Sequence, residues 1–328
     1  MTSKFMWASF FLISASSFGQ EGGRGGGGAP SIADDATEQQ IKSAVATVRV
    51  GRKLTPASWS NGARVAVCFT VDIDNETLQR RNPLPVPLSG GEYGATTGLP
   101  RILALLDHEQ IPATFFIPAM SAMLHPEMIP AILKNSRNDI GLHGWVHESW
   151  PSITDMALEE RLLDQSIEYL TRATGTRPIG VRAPSSAFSL HSLELIRKAG
   201  LQYDSSLMGM DEPYEIMSNG KRAGIIEIPM SNILNDYEYY GENATGALPS
   251  PEALFEIYKG EFDLAYRERT LVSIMLHPHV SGHRSRVLQV EKFIDYMKSK
   301  PDVWFASMRE VAAYIRKQDG SLREQTKQ

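Results

Sequence analysis

Cysteine occurs once in the 328 residues, as Cys68. A single thiol leaves no internal disulfide and no cysteine-based metal site. Its apolar neighbours make it a buried, inert side chain. A block of basic residues is also missing: 33 lysines and arginines are scattered among 38 acidic residues, for a net charge of −5. With no basic patch and no aromatic–basic stripe, nothing suggests a nucleic-acid surface. Nor does any apolar run reach the ~20 residues that span a bilayer, so no stable membrane span is expected. The stretch from Phe5 to Phe18 follows Lys4 and precedes small residues and a glycine-rich tract. These are the parts of a secretory signal peptide, read as residues 1–19, and they imply export to the periplasm or the exterior.

What is present is an ordinary globular composition, 42% hydrophobic and 22% charged, which argues against a disordered or fibrous chain. Residues 20–62 read as a linker and N-terminal extension, with a flexible tether from Gly22 to Pro30 and a short helix at Glu38 to Ala46. The main domain is expected over 63–316, and 317–328 form a polar tail. Within the domain the apolar period alternates. Short apolar runs predict strands at Val65–Val71, Ala113–Ile117, Asp139–Leu142, Ile179–Arg182, Ile225–Ile228, Leu271–Leu276 and Val303–Phe305. Helical spacing fills Leu99–Glu109, Ile129–Lys134, Thr154–Thr174, Leu190–Ala199, Pro251–Tyr266, Leu288–Lys298 and Met308–Lys317. Gly175 and Gly200 stop two of these helices, and Ser307 with Glu310 has capping-box spacing before the last. Strand–helix alternation implies a parallel sheet, and its length suits an irregular (β/α) barrel of seven or eight strands. Chemistry in such a fold gathers where strands end.

The polar residues fall there. Asp72 and Asp74 end the first strand, two apart and so on one side of extended chain. His143 and His147 follow the third strand; one helical turn would bring both imidazoles to one face. Two histidines and an aspartate suit zinc or a similar divalent ion such as cobalt, with positions open for water and substrate. Arg182 closes the fourth strand and is able to pin a carboxylate, although a loop arginine is the plain alternative. Asp204-Ser205-Ser206 is either a support for Arg182 or a histidine, or a common turn. His277 ends a buried strand, as a general acid or a core histidine. The loops Asn75–Gly98 and Ser231–Pro249 stand where they would wall the site, the second with Tyr237, Tyr239 and Tyr240. The basic segment Ser281–Arg286 is placed to meet an anionic or sugar group, or only solvent.

These strand ends, in this order, resemble the polysaccharide deacetylases with a NodB homology domain, over roughly Arg64 to Tyr314. The usual adjacent aspartates appear here in the spaced form Asp72-Ile73-Asp74, and Asp204 is the weaker match. The resemblance implies Asp74, His143 and His147 as metal ligands and Asp72 as general base, oriented by Arg182. It further implies that Asp204 tunes the acid and that His277 protonates the leaving amine. The spaced aspartates, Tyr93-Gly94 with Gly98-Leu99-Pro100-Arg101, and His277-Pro278 with Ser281-Gly282 are similar to a branch holding peptidoglycan deacetylases and hydrolases of small cyclic amides. The expected function is metal-dependent removal of N-acetyl, or O-acetyl, groups from a glycan such as peptidoglycan or a chitin-like polymer. Hydrolysis of small cyclic amides and imides is the alternative on the same fold. A non-catalytic carbohydrate-binding protein is the alternative of a different class, opposed by the retention of both base and acid.

Overall fold

The computed structural model describes residues 36–78, 88–241 and 247–322. The signal peptide read at 1–19, the glycine-rich tether and the last residues of the polar tail lie outside the described residues. Helix α1 (Glu38–Ala46) begins at a capping box in which Thr37 and Gln40 satisfy each other's backbone N–H groups. Strand β1 (Arg49–Lys53) follows, upstream of Ala63. Leu54 and Trp59 are buried on this approach, with the Trp59 indole donating to Thr270 O. Next comes β2 (Val65–Asp72), buried at every position as a continuous apolar run predicts for a strand covered on both faces.

The chain then alternates. Helices α2 (Ser89–Tyr93) and α3 (Leu99–His108) lead to β3 (Ala113–Ile117), and α4 (Ala119–Leu124) and α5 (Met128–Leu133) lead to β4 (Asp139–Leu142). The long α6 (Met156–Thr174) starts on an Asp155 cap and stops at Gly175, φ +72°, a left-handed position that glycine adopts without steric cost. Strand β5 (Gly180–Val181), α7 (Ser192–Lys198) and β6 (Tyr203–Asp204) follow. Then β7 (Tyr214–Ser218) and β8 (Lys221–Glu227) form a hairpin around Asn219-Gly220, both at positive φ. Helices α8 (Asp236–Tyr240) and α9 (Pro251–Glu268) precede β9 (Leu271–Leu276). The chain closes with α10 (Pro278–Ser281), α11 (Arg284–Lys298), β10 (Val303–Phe305) and α12 (Met308–Gln318), whose Ser307–Glu310 capping box forms as expected.

Strands β9, β2, β3, β4, β5, β6 and β8 pair in that order, all parallel. These seven curl into a half-barrel, and among the described residues an isolated bridge joins Asn235, beyond β8, to Met275 of β9. Strand β10 pairs in parallel with the first residues of β2, and β7 and β1 extend the sheet antiparallel beyond β8. The expected α/β barrel is therefore present, with an antiparallel flap at one edge that the strand–helix alternation did not predict. Phe69, Phe115, Ile274 and Phe293 lie in the main core beneath the helices. Because the seven strands run the same way, their C-terminal ends open on one rim. Among the described residues no helix is long and apolar enough to cross a membrane. Leu322, inside the predicted polar tail, is fully buried.

Candidate metal centre

Strand geometry carries the polar groups to the rim. Asp72 is the last residue of β2, and Ile73 N continues the ladder to Phe116 O at 2.9 Å before Asp74 turns inward. His143 leaves β4 directly, Arg182 leaves β5 with its N–H on Leu142 O at 2.9 Å, Asp204 ends β6, and His277 leaves β9. All six are at least nine-tenths buried, as is His147.

Asp74, His143 and His147 offer ligand atoms that all lie within 4.8 Å of one another. Asp74 Oδ1 is 3.3 Å from His143 Nε2 and 3.6 Å from His147 Nε2. It is buried and receives no hydrogen bond, which leaves an acceptor aimed between two imidazole nitrogens. One carboxylate oxygen and two imidazoles form a donor set that a divalent cation accepts. Burial alone would raise the Asp74 carboxyl, but His147 and His143 hold it well below the usual carboxylate range. His143 donates from Nδ1 to Arg182 O at 2.7 Å, which fixes its ring and points Nε2 into the cluster. Burial lowers His143, yet Asp72 and Asp74 together raise it above its ordinary value.

The two histidines do not share a helix turn, contrary to the reading from their spacing. Residues 143–149 form a loop in which Gly144 (φ +79°) and His147 (φ +56°) adopt left-handed backbone. The Glu148 carboxylate accepts from Trp145 N at 3.0 Å, Val146 N at 2.8 Å and Trp150 Nε1 at 3.2 Å. Gly144 is needed twice over, since a Cβ there would also sit 2.8 Å from Pro184 Cγ. The spacing was informative, but a loop and not a helix makes use of it.

Arg182 is fully buried and holds Asp72 by Nη1 to Oδ1 at 2.6 Å. Three more of its N–H groups go to Thr70 Oγ1 at 3.0 Å, Ser205 O at 2.8 Å and Ser205 Oγ at 2.8 Å. Its guanidinium also lies 4.3 Å above the Phe116 ring. Asp72 Oδ2 faces the cluster, 3.6 Å from His143 Nε2. On the other side His277 Nε2 lies 3.7 Å from Asp74 Oδ2.

The partner of His277 is Asp236, not Asp204. Asp236 Oδ1 takes His277 Nδ1 at 2.6 Å and its Oδ2 accepts from His277 N at 2.9 Å. Burial alone would lower the imidazole, but Asp236, helped by Asp74 and Asp72, raises it to about 9. Asp204 instead accepts from Ser206 N and Oγ and sits beside Glu227. Asp236, Glu148 and Glu227 were not found from sequence. Asp236 follows Asn235 in a loop of tyrosines, with no strand end to mark it.

The cluster opens on a cavity of about 300 Å³ lined by Asp72, Asp74, His143, His147 and His277. Leu78, Ser185, Ser186, Met208, Met230, Asn232 and Tyr237 form much of its wall, and Ser185 and Ser186 both hold positive φ. Both loops expected to wall the site contribute, through Leu78 and through Asn232, Asn235, Tyr237 and Glu238. Tyr237 packs 5.2 Å from the His277 ring. Arg286 stays out of this cavity, stacked 4.1 Å over Tyr240 and donating to Val280 O.

The polysaccharide deacetylase family profile matches residues 91–203. A crystal structure from Mycobacterium smegmatis assigned as a polysaccharide deacetylase superposes with TM-score 0.75 at 32% identity, covering 82% of this chain and 96% of that one. The chain belongs to the polysaccharide deacetylase family. Members of this family are hydrolases of carbon–nitrogen bonds other than peptide bonds. The peptidoglycan deacetylase of Helicobacter pylori is 29% identical over 257 residues, 70% of this chain and 87% of that protein. An allantoinase shares the fold at TM-score 0.71 and 26% identity, over 82% of this chain and 98% of its own. Among the described residues, Asp74, His143 and His147 form the one group of this kind able to hold a metal ion.

Proposed function

We propose that this deacetylase is metal-dependent and removes N-acetyl groups, or O-acetyl groups, from a glycan such as peptidoglycan or a chitin-like polymer. The observation that carries the reading is one cavity holding the Asp74–His143–His147 cluster, with Asp72 on Arg182 at one flank and His277 on Asp236 at the other. A divalent ion on Asp74, His143 and His147, taken as zinc with cobalt as a substitute, would lower the pKa of bound water toward ~7 and polarise the acetyl carbonyl.

The protein's own groups do the rest. Asp72, an acceptor fixed by Arg182, takes a proton from the attacking water. Oxygen bonds to the acyl carbon without a covalent enzyme intermediate. As the carbon–nitrogen bond breaks, His277 delivers a proton from Nε2 so that the amine leaves neutral; its Nδ1 is already committed to Asp236. The acetate and the free amine are the products.

A second reading, hydrolysis of small cyclic amides, is favoured by the cavity volume, since about 300 Å³ suits a small ligand. The likeness to an allantoinase supports it too. Acetate release from acetylated chito-oligosaccharides, peptidoglycan fragments and acetyl-xylan, run beside ring opening of cyclic imides, separates the two. Turnover of the glycans supports deacetylation; turnover of the imides alone overturns it. Glycan binding with no hydrolysis of any substrate would leave a binding protein. We also propose export, on residues 1–19, which lie outside the described residues; a glycan substrate accords with it.

A further inference from the structure

Asp204 and Glu227 occupy matching positions on the adjacent parallel strands β6 and β8, and neither has any exposed surface. Side chains level with each other on neighbouring parallel strands point to the same face. Two carboxyl groups side by side in the dry interior cannot both be ionised. The donors around them decide where the proton sits. Asp204 Oδ2 accepts from Ser206 N at 2.9 Å and Oδ1 from Ser206 Oγ at 2.8 Å. The Ser206 oxygen also accepts from Ala183 N at 2.8 Å, which holds the hydroxyl beside Asp204. Glu227 has one donor only, Leu207 N on Oε1 at 3.0 Å, and Oε2 has none. Asp204 is therefore built as the anion and Glu227 as the acid. The electrostatics agree: burial raises both, and Asp204 raises Glu227 further, well above the usual range.

We propose that Glu227 is a positioning residue that carries a proton on Oε2 and donates it to Asp204, locking the Asp204–Ser206 turn on which Arg182 is held. The turn reaches Arg182 through Ser205, whose carbonyl and hydroxyl take Nε and Nη2. Arg182 in turn fixes Asp72. The link to catalysis rests on the reading of Asp72 as general base. An ionised Glu227 would put a second unpaired negative charge behind Arg182 and compete with Asp72 for it. Tyr214 is the other titratable group facing the pair, and its hydroxyl is engaged by Gly209 N.

The test uses three variants of the full chain. Glu227→Gln keeps a donor toward Asp204 and should hold kcat/KM within about 2-fold of wild type. Glu227→Ala should lose about 10-fold or more, mainly in kcat, with KM and bound metal unchanged. Asp204→Asn replaces an all-acceptor group by one carrying a donor and should lose activity as well. Infrared difference spectra should show a protonated carboxyl carbonyl band in wild type that disappears in Glu227→Gln, a readout that needs neither turnover nor Glu227→Ala to fold. A band unchanged by Glu227→Gln, equal losses in the Gln and Ala variants, or the mirror pattern with Asp204→Asn tolerated, would overturn the proposal. If wild type hydrolyses nothing, the assignment of Asp72 fails while the infrared band still locates the proton.

Discussion

The two flanks of the candidate metal centre are built differently. On the base flank, Asp72 ends β2 while Arg182 and the Asp204–Ser206 turn follow the neighbouring strands β5 and β6, and Arg182 is gripped by four hydrogen-bonding groups. On the acid flank, His277 follows β9, but its partner Asp236 opens the five-residue α8 next to the isolated Asn235–Met275 bridge. The proposed base is thus positioned by the sheet and the proposed acid by a short helix outside it. The difference suggests that the base flank fixes the geometry of attack, while the acid flank sets the pH range and borders the substrate wall.

Removing what both flanks share should have the largest effect. Asp74→Ala, His143→Ala or His147→Ala should each abolish stable metal binding and reduce hydrolysis to background, read by metal analysis and acetate release. Asp72→Asn should keep the metal but cost about 10²–10⁴-fold in kcat. A loss of metal in that variant would mean that Asp72 is a ligand and the two-flank division is wrong. Arg182→Lys keeps the charge but not the planar fork, and should cost about 10²-fold in kcat by letting Asp72 swing.

The acid flank responds through pH. With His277 raised to about 9, the proposed acid stays protonated through neutral pH, and activity should fall as pH rises through that value. Asp236→Asn removes the principal raising influence, so the alkaline limb of kcat/KM should move to lower pH with little change near pH 6. An unmoved limb would assign it to another group. Last, Gly144→Ala should destabilise the fold by about 1–3 kcal/mol through backbone strain alone, seen as a lower Tm, and should weaken metal affinity through the displaced His147.

The same contrast explains how much could be read in advance. Strands β3, β4, β9 and β10 were legible to the residue, because runs such as Ala113–Ile117 and Leu271–Leu276 are apolar but for a single Thr114 or Ser273. Placing polar groups at strand ends then brought Asp72, Asp74, His143, His147, Arg182 and His277 to one rim. The loop geometry of His143–His147 was not legible, since i,i+4 spacing is shared by a helix turn and by a loop that Glu148 folds back on itself. Asp236 was hidden because a carboxylate in a loop has no periodicity. The hairpin of β7 and β8 was missed although Asn219-Gly220 is a strong two-residue turn signal, and β1 became legible only as that hairpin's partner.

Metal titration of chelator-stripped protein tests the central claim most directly, with metal content and hydrolysis of an acetylated chito-oligosaccharide followed together. One equivalent of zinc or cobalt should restore hydrolysis in wild type, and none should bind tightly to His143→Ala. Full activity in the stripped protein, or binding that survives the loss of His143, would contradict the assignment of Asp74, His143 and His147 as the metal centre.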